Sequence, residues 1–416
     1  MKKIHYILVV GVTFFILLFL TLNKNSKTYF GNYHYQLWAD KMGYHVYLPS
    51  LFIYDFDASK FPDKIADSTG AGFSFEGNKV VTKYPYGVAL LQSPFWMIAH
   101  IFSSDKTGFS QAYANAINFA AVTYLLVSLI LLFIVLKRHQ VKGERSILIL
   151  LALTFGTNLI YYVIQEGGMS HIYSFFAFTG FVFFVTHPAF LTNKKLLIGA
   201  ALFLGLILSI RTLNIVFAFT VLLLLYPNIK SLFKFSLYAL PAMVLFYVPQ
   251  AVYYYYLNGS LVMDSYKDEG FIHLFHPKII EVLFAAQSGM FPYTPLMLLL
   301  VLGLFIKPSL HYVQLICFAI YLLIYASWHS YYLGCSYGHR AIIDILPIFI
   351  LSVPSWMNKL SNKQVYILSG VLLLGIYVNM TFVNVYDGCF YGKNEWDWDE
   401  YIQLFLRDPY SVFKFV

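Results

Sequence analysis

MKKIHYILVVGVTFFILLFLTLN, residues 1–23, is followed after one loop by Asp40–Pro49, DKMGYHVYLP. The run 4–22 has no Asp, Glu, Lys or Arg. At about 1.5 Å per helical residue it matches the roughly 30 Å hydrocarbon core of a bilayer. It exceeds a signal-peptide apolar region, and no small-x-small cleavage pattern follows, so it reads as an uncleaved anchor. The stretch behind it then stands just outside the membrane, with the carboxylate of Asp40 close in sequence to Tyr44, His45 and Tyr47.

Composition extends this reading to the whole chain. The 416 residues are 59% hydrophobic and only 12% charged, and a soluble domain carries about twice that charge. The pattern predicts an all-α polytopic membrane protein with about eleven spans, at 4–22, 113–136, 147–164, 172–187, 195–211, 213–227, 235–256, 294–306, 311–328, 341–356 and 364–384. Lys2 and Lys3 precede the first span. Lys137, Arg138, Lys142, Arg145, Lys194, Lys195, Lys230, Lys234, Lys307, Lys359 and Lys363 fall in alternate loops. Basic residues in short loops mark the cytoplasmic side. Of the 20 acidic residues only Glu144 shares that side, and the other 19 lie in or beside the opposite loops. The expected orientation is N-terminus cytoplasmic and C-terminus extracytoplasmic. The net charge of +8 is thereby a topology signal and gives no ground for a nucleic-acid partner.

The polar mass is uneven. Residues 23–112 form a large first extracytoplasmic loop, too polar to cross and too aromatic for a loose linker. Within it, 84–102, YPYGVALLQSPFWMIAHIF, has borderline length for a span. It reads better as a helix lying in the outer interface, because a span there would break the downstream charge pattern. The expected organisation is a membrane domain over 1–384 and a short extracytoplasmic tail over 385–416. Cys335 and Cys389 both fall outside, where they can pair or stay free.

Several residues carry candidate chemistry. Asp40 suits a general base that takes a proton from a hydroxyl; a solvated loop aspartate is the plain alternative. Glu166, in EGGMSHIYSFF, sits at a predicted outer mouth with Ser170 and His171 close behind. These residues suit sugar hydroxyls, or merely cap a hairpin. Arg211, in LSIRTLN, and Arg340, in CSYGHRAIIDILP, suit phosphate. The alternatives are a snorkelling anchor for Arg211 and an ion pair with Asp344 for Arg340. Tyr253–Tyr256, YYYY, reads as an interfacial belt. His273 and His276 lack the partners of a metal site, and no nucleotide-binding loop is present.

In this order and sidedness the motifs resemble the GT-C superfamily, membrane glycosyltransferases that use polyprenyl-phosphate sugars. The resemblance is carried by Asp40 with Gly43-Tyr44, by Tyr84-Pro85-Tyr86-Gly87, and by EGGMSHIYSFF, LSIRTLN, LFAAQSGMFPYTPL and SYGHRAIIDILP. It covers most of 1–384 and points toward the protein O-mannosyltransferase and aminoarabinose transferase branch. The chain departs from the pattern at position 39, Ala, and position 41, Lys, which leave one acid where a pair is usual. In place of the large C-terminal soluble domain of some members, only a tail over 385–416 is expected.

The resemblance implies a GT-C-like bundle with interfacial helices in its first loop. It further implies inverting transfer from a polyprenyl-phosphate-linked sugar donor to a lipid, glycan or protein acceptor, at the outer face of the bacterial cytoplasmic membrane. Asp40 is then the base. Tyr44, Lys83, Glu166, His171, Arg211, Tyr337 and Arg340 are expected to bind substrate, with Lys83 and the arginines on the phosphate. No cofactor is required, and a divalent metal stays open. Two other classes compete. A lipid-linked-glycan flippase would place charges in mid-span and tend to show repeats, and a diphosphate-donor ligase or polymerase would concentrate its polar site in a later loop.

Overall fold

The computed structural model describes residues 3–264, 269–306 and 311–411. Lys2 and Lys307 of the charge pattern lie outside the described residues, as does 412–416 of the tail. The chain is predominantly helical; among the described residues the strands are Ser74–Glu76 and Lys79–Val81, paired antiparallel. Among the described residues four helices are long and apolar enough to cross a membrane: Leu8–Ser26, the apolar part of Lys3–Ser26, then Gln111–Arg138, Ile229–Asn258 and Asn362–Val385. They make this a membrane protein.

Most other expected spans are helices too, but shorter, among them Ser170–Val185, Pro295–Ile306 and Tyr312–Ser327. Two expected continuous spans are broken. The run 147–164 divides into Gly143–Phe155 and Leu159–Ile164. At the break the Thr157 hydroxyl bonds back to the Leu153 carbonyl and accepts from the Leu159 N–H, which ends one helix and starts the next. The run 341–356 divides into Ile342–Ile350 and Val353–Met357, with Pro354 in the first turn of the second helix, where a missing N–H is harmless. The segment 84–102 becomes the helix Gly87–Phe102, about 24 Å long and short of a bilayer core.

The chain forms two compact units. The first comprises Met1–Ser128, Tyr162–Ala218 and Asn228–Lys267; the second comprises Leu129–Tyr161, Phe219–Pro227 and Asp268–Val416. The tail after 384 is thus part of the second unit.

In the first unit, Lys194–Ile210 packs against Ser170–Val185 and Ile229–Asn258. Glycines set the closeness: Gly180 lies under the Phe203 ring, and Gly205 admits the ring of Phe246. Most of the long first loop is folded. Tyr35, Leu37, Met42, Val46, Tyr54, Phe61, Phe73 and Phe109 form its core. Polar groups on the Ile229–Asn258 helix hold the loop in place. The Tyr253 hydroxyl accepts from the Thr82 N–H at 2.8 Å and donates to the Val80 carbonyl at 3.2 Å. Tyr256 accepts from Val80 N–H and donates to the Phe56 carbonyl. Gln250 accepts from Tyr86 N–H. Tyr253 and Tyr256 are therefore structural clamps on the strand Lys79–Val81, whereas the tetrad reads by composition as a uniform belt.

In the second unit, Tyr337 is fully buried. It stacks on Tyr161 at 4.7 Å and donates to Asn379, whose amide in turn bonds the carbonyls of Phe155 and Thr157. Cys335 and Cys389 form a disulfide.

Candidate functional site

The site builds from the seven-residue helix Ala39–His45. Its first residue, Ala39, has φ 47°, a left-handed conformation unusual for a residue with a Cβ. The turn is held there by close backbone approach. The Ala39 N–H donates to the Thr69 carbonyl at 2.7 Å, and a methyl group at Gly72 would overlap the Ala39 carbonyl. Gly43 likewise leaves no room for a side chain beside Tyr84 and the Gly72 carbonyl. The glycine-containing stretch 70–72 thus fixes the backbone that carries Asp40, and backbone strain of this kind clusters at functional sites.

Asp40 lines a cavity of about 690 Å³ together with Glu76, Lys83, Tyr84, Asn258 and Asp264. The Tyr84 hydroxyl donates to Asp40 Oδ1 at 2.6 Å, a charge-assisted bond that fixes the carboxylate. Lys83 lies over the Tyr84 ring, 5.7 Å from its centroid. Among the described residues three carboxylates and one ammonium face this space. Such walls offer many acceptors to a polyhydroxylated ligand and one compact cation to an anionic group. Among the described residues no three His, Cys, Asp or Glu side chains gather as a metal site.

Asp40 and Lys83 are thus brought together. Tyr44 stands behind them: it is buried and its ring packs on Tyr84 at 4.5 Å. It supports the residue that orients Asp40 and does not line the cavity.

Glu166, expected to bind sugar hydroxyls or to cap a hairpin, is paired with a lysine. It accepts from Lys41 Nζ at 3.2 Å, and the Lys41 side chain is only 4% exposed. The lysine stem fits because residue 168 is glycine; a Cβ there would sit 2.9 Å from Lys41 Cβ. The same hairpin is tied down by Gln36, which accepts from Gly168 N–H and donates to the Gln165 carbonyl. Lys41 thus pairs with Glu166 across 125 positions of sequence.

His171 and Arg211 meet at 3.5 Å, the guanidinium Nη1 facing His171 Nδ1. His171 is buried against the Tyr162 ring. Arg211 is half-buried at the end of Lys194–Ile210.

In the second unit, Arg340 is half-buried in the turn before Ile342–Ile350, with Asp344 buried in that helix's first turn. Tyr337, expected at the substrate, has no exposed surface. Its ring fills the core and its hydroxyl is used on Asn379.

Tyr84, Glu76, Asp264 and Lys41 are the site residues that sequence reasoning did not single out. For Tyr84 the signal was present in the Tyr84-Pro85-Tyr86-Gly87 element. No protein-family model, no curated protein and no solved structure matches the chain. The functional reading therefore rests on the chain's own residues.

Proposed function

We propose that this protein is an integral-membrane glycosyltransferase that moves a sugar from a polyprenyl-phosphate donor to an acceptor hydroxyl on the outer side of the cytoplasmic membrane, with inversion. The observation that carries this reading is the cavity in which a carboxylate oriented by Tyr84 stands with Lys83 and further acidic groups. It is supported by the membrane character of the chain and by a folded first loop that packs on a membrane helix.

The chemistry balances with the chain's own groups. The acceptor oxygen forms a bond to the anomeric carbon while Asp40 takes its proton. The bond from that carbon to the phosphate oxygen breaks, and its electron pair leaves on the polyprenyl phosphate. Lys83 offsets the charge that develops there. Glu76 and Asp264 accept hydrogen bonds from sugar hydroxyls. A lipid-borne donor suits this side of the membrane because nucleotide sugars are not supplied there. Arg211, in the same unit as the cavity, is kept as a phosphate ligand in this proposal, to be tested by its Lys variant.

The test is sugar transfer in reconstituted vesicles with a panel of radiolabelled polyprenyl-phosphate sugars and native membrane extract as acceptor. Wild type is expected to transfer one of them. A folded Asp40→Asn variant is expected to lose at least about 100-fold in rate. Transfer that survives Asp40→Asn would remove Asp40 from the base role. Absence of transfer from every lipid donor would remove the reaction class.

A further inference from the structure

The tail helix Trp398–Leu406 follows the membrane-spanning helix Asn362–Val385. At roughly 100° per residue its side chains fall into three sectors. Tyr401, Leu404 and Phe405 face the protein: Tyr401 and Phe405 pack on Phe382, and the Tyr401 hydroxyl donates to the Pro292 carbonyl. Trp398, Ile402 and Leu406, at i, i+4 and i+8, form an apolar stripe that is 40%, 51% and 60% exposed. Asp399, Gln403 and Arg407 form the third, polar sector.

The residues after this helix turn back along the span. The Tyr377 hydroxyl donates to the Pro409 carbonyl at 2.7 Å, the Ser411 hydroxyl to the Thr381 carbonyl at 3.3 Å, and the Asn384 amide to the Ser411 carbonyl at 3.2 Å. Tyr377 lies two helical turns before the span's end at Val385, or about 12 Å along its axis. A 24-residue span is about 36 Å long, so its ends overhang a 30 Å core by only about 3 Å each. Residues 409–411 therefore reach the level of the hydrocarbon edge. The exposed stripe is held beside the last turns of the span, and earlier turns of that span carry the exposed Val371, Leu373 and Leu374.

We infer that Trp398–Leu406 is an interfacial helix. One apolar sector docks on the span, the second lies in the adjoining bilayer leaflet, and the polar sector faces water. The lipid surface is the partner because the stripe continues the lipid-facing side of the span at the level where the chain re-enters. Tyr410 and Trp396, both exposed, are residue types favoured at that boundary. The inference requires only that Asn362–Val385 crosses a membrane, and is independent of the proposed transfer reaction.

The test uses the full-length protein with Cys317→Ala, reconstituted in phosphatidylcholine vesicles, with a nitroxide attached at Ile402→Cys, Asp399→Cys or Leu404→Cys. The label at 402 is expected to collide with oxygen more than with a water-soluble nickel complex, giving an accessibility ratio several-fold above that at 399. The label at 404 is expected to be immobile. Equal nickel access at 402 and 399 would place the stripe in water and overturn the inference. A label at 402 shielded from both reagents would mean that protein covers the stripe, which also overturns it. A mobile label at 404 would show that the helix is not docked, with the same consequence.

Discussion

The Tyr84 hydroxyl donates to Asp40 Oδ1 at 2.6 Å, joining two residues 44 positions apart in one wall of the cavity. Tyr84→Phe removes this bond and leaves the ring on Tyr44. Hydrogen bonds to charged groups contribute about 1.5–3 kcal/mol. If the carboxylate must be oriented in the transition state, the rate of sugar transfer should fall by about 10- to 100-fold with little change in donor affinity. A rate within twofold of wild type would show that Asp40 is oriented by other contacts.

The Lys41–Glu166 pair should behave as a coupled unit in unfolding experiments. Glu166→Gln leaves the Lys41 ammonium buried without its counter-charge, and loss of one partner of a buried pair costs about 3–5 kcal/mol. Lys41→Met combined with Glu166→Gln removes both charges. The double variant should therefore unfold at a higher temperature than Glu166→Gln alone. Additive losses from the two single changes would mean that the pair is not coupled.

Stability of the first loop should fall in acid through His45. Its Nε2 donates to the Gly108 carbonyl at 2.9 Å inside a fully buried site. Burial lowers its pKa from 6.5 to about 4. The unfolded chain takes up this proton first, so the contribution is fully present above about pH 6.5 and is lost as pH falls through about 4. The depressed value corresponds to about 3 kcal/mol. His45→Gln can keep a donor toward Gly108 without titrating. Protease sensitivity of residues 23–112 should rise between pH 6.5 and 4 in wild type and change less in His45→Gln. Identical pH profiles would exclude His45 as the source.

The extent to which the sequence announced this arrangement follows from the range of each interaction. Apolar runs are local, and they placed nearly every long helix to within a few residues. The breaks at Thr157 and Leu351 were hidden because Gly156-Thr157-Asn158 and Ser352 with Pro354 are short interruptions between apolar runs, and a threonine cap has no hydropathy signal. Asp40 was legible because it lies in a compact stretch of its loop, and Lys83 because it directly precedes the Tyr84-Pro85-Tyr86-Gly87 element that carries the resemblance. The Lys41–Glu166 pair was not, since nothing local in either segment reports a partner 125 residues away. The clamping role of Tyr253 and Tyr256 was hidden for a related reason. A tyrosine at a membrane boundary looks alike whether its hydroxyl meets water or clamps a strand. Tyr337 was expected at the substrate from the resemblance alone, but its ring completes an aromatic core assembled from Tyr161, Tyr293 and Tyr386.

Cys335 and Cys389, 54 residues apart and disulfide-bonded, provide a test of sidedness. Structural disulfides persist in oxidising compartments, which agrees with the orientation proposed from loop charges. Closing a loop of this length stabilises a chain by about 4 kcal/mol in the entropic account. Cys389→Ser should therefore lower the unfolding temperature, and a reductant should lower that of wild type but not of the variant. After mild reduction of intact spheroplasts, a membrane-impermeant maleimide should label the wild type at Cys335 and Cys389. Cys317, buried in the Tyr312–Ser327 helix, should stay unlabelled. Labelling that appears only once the membrane is permeabilised would put this face in the cytoplasm. It would reverse the orientation on which the lipid-linked donor was argued.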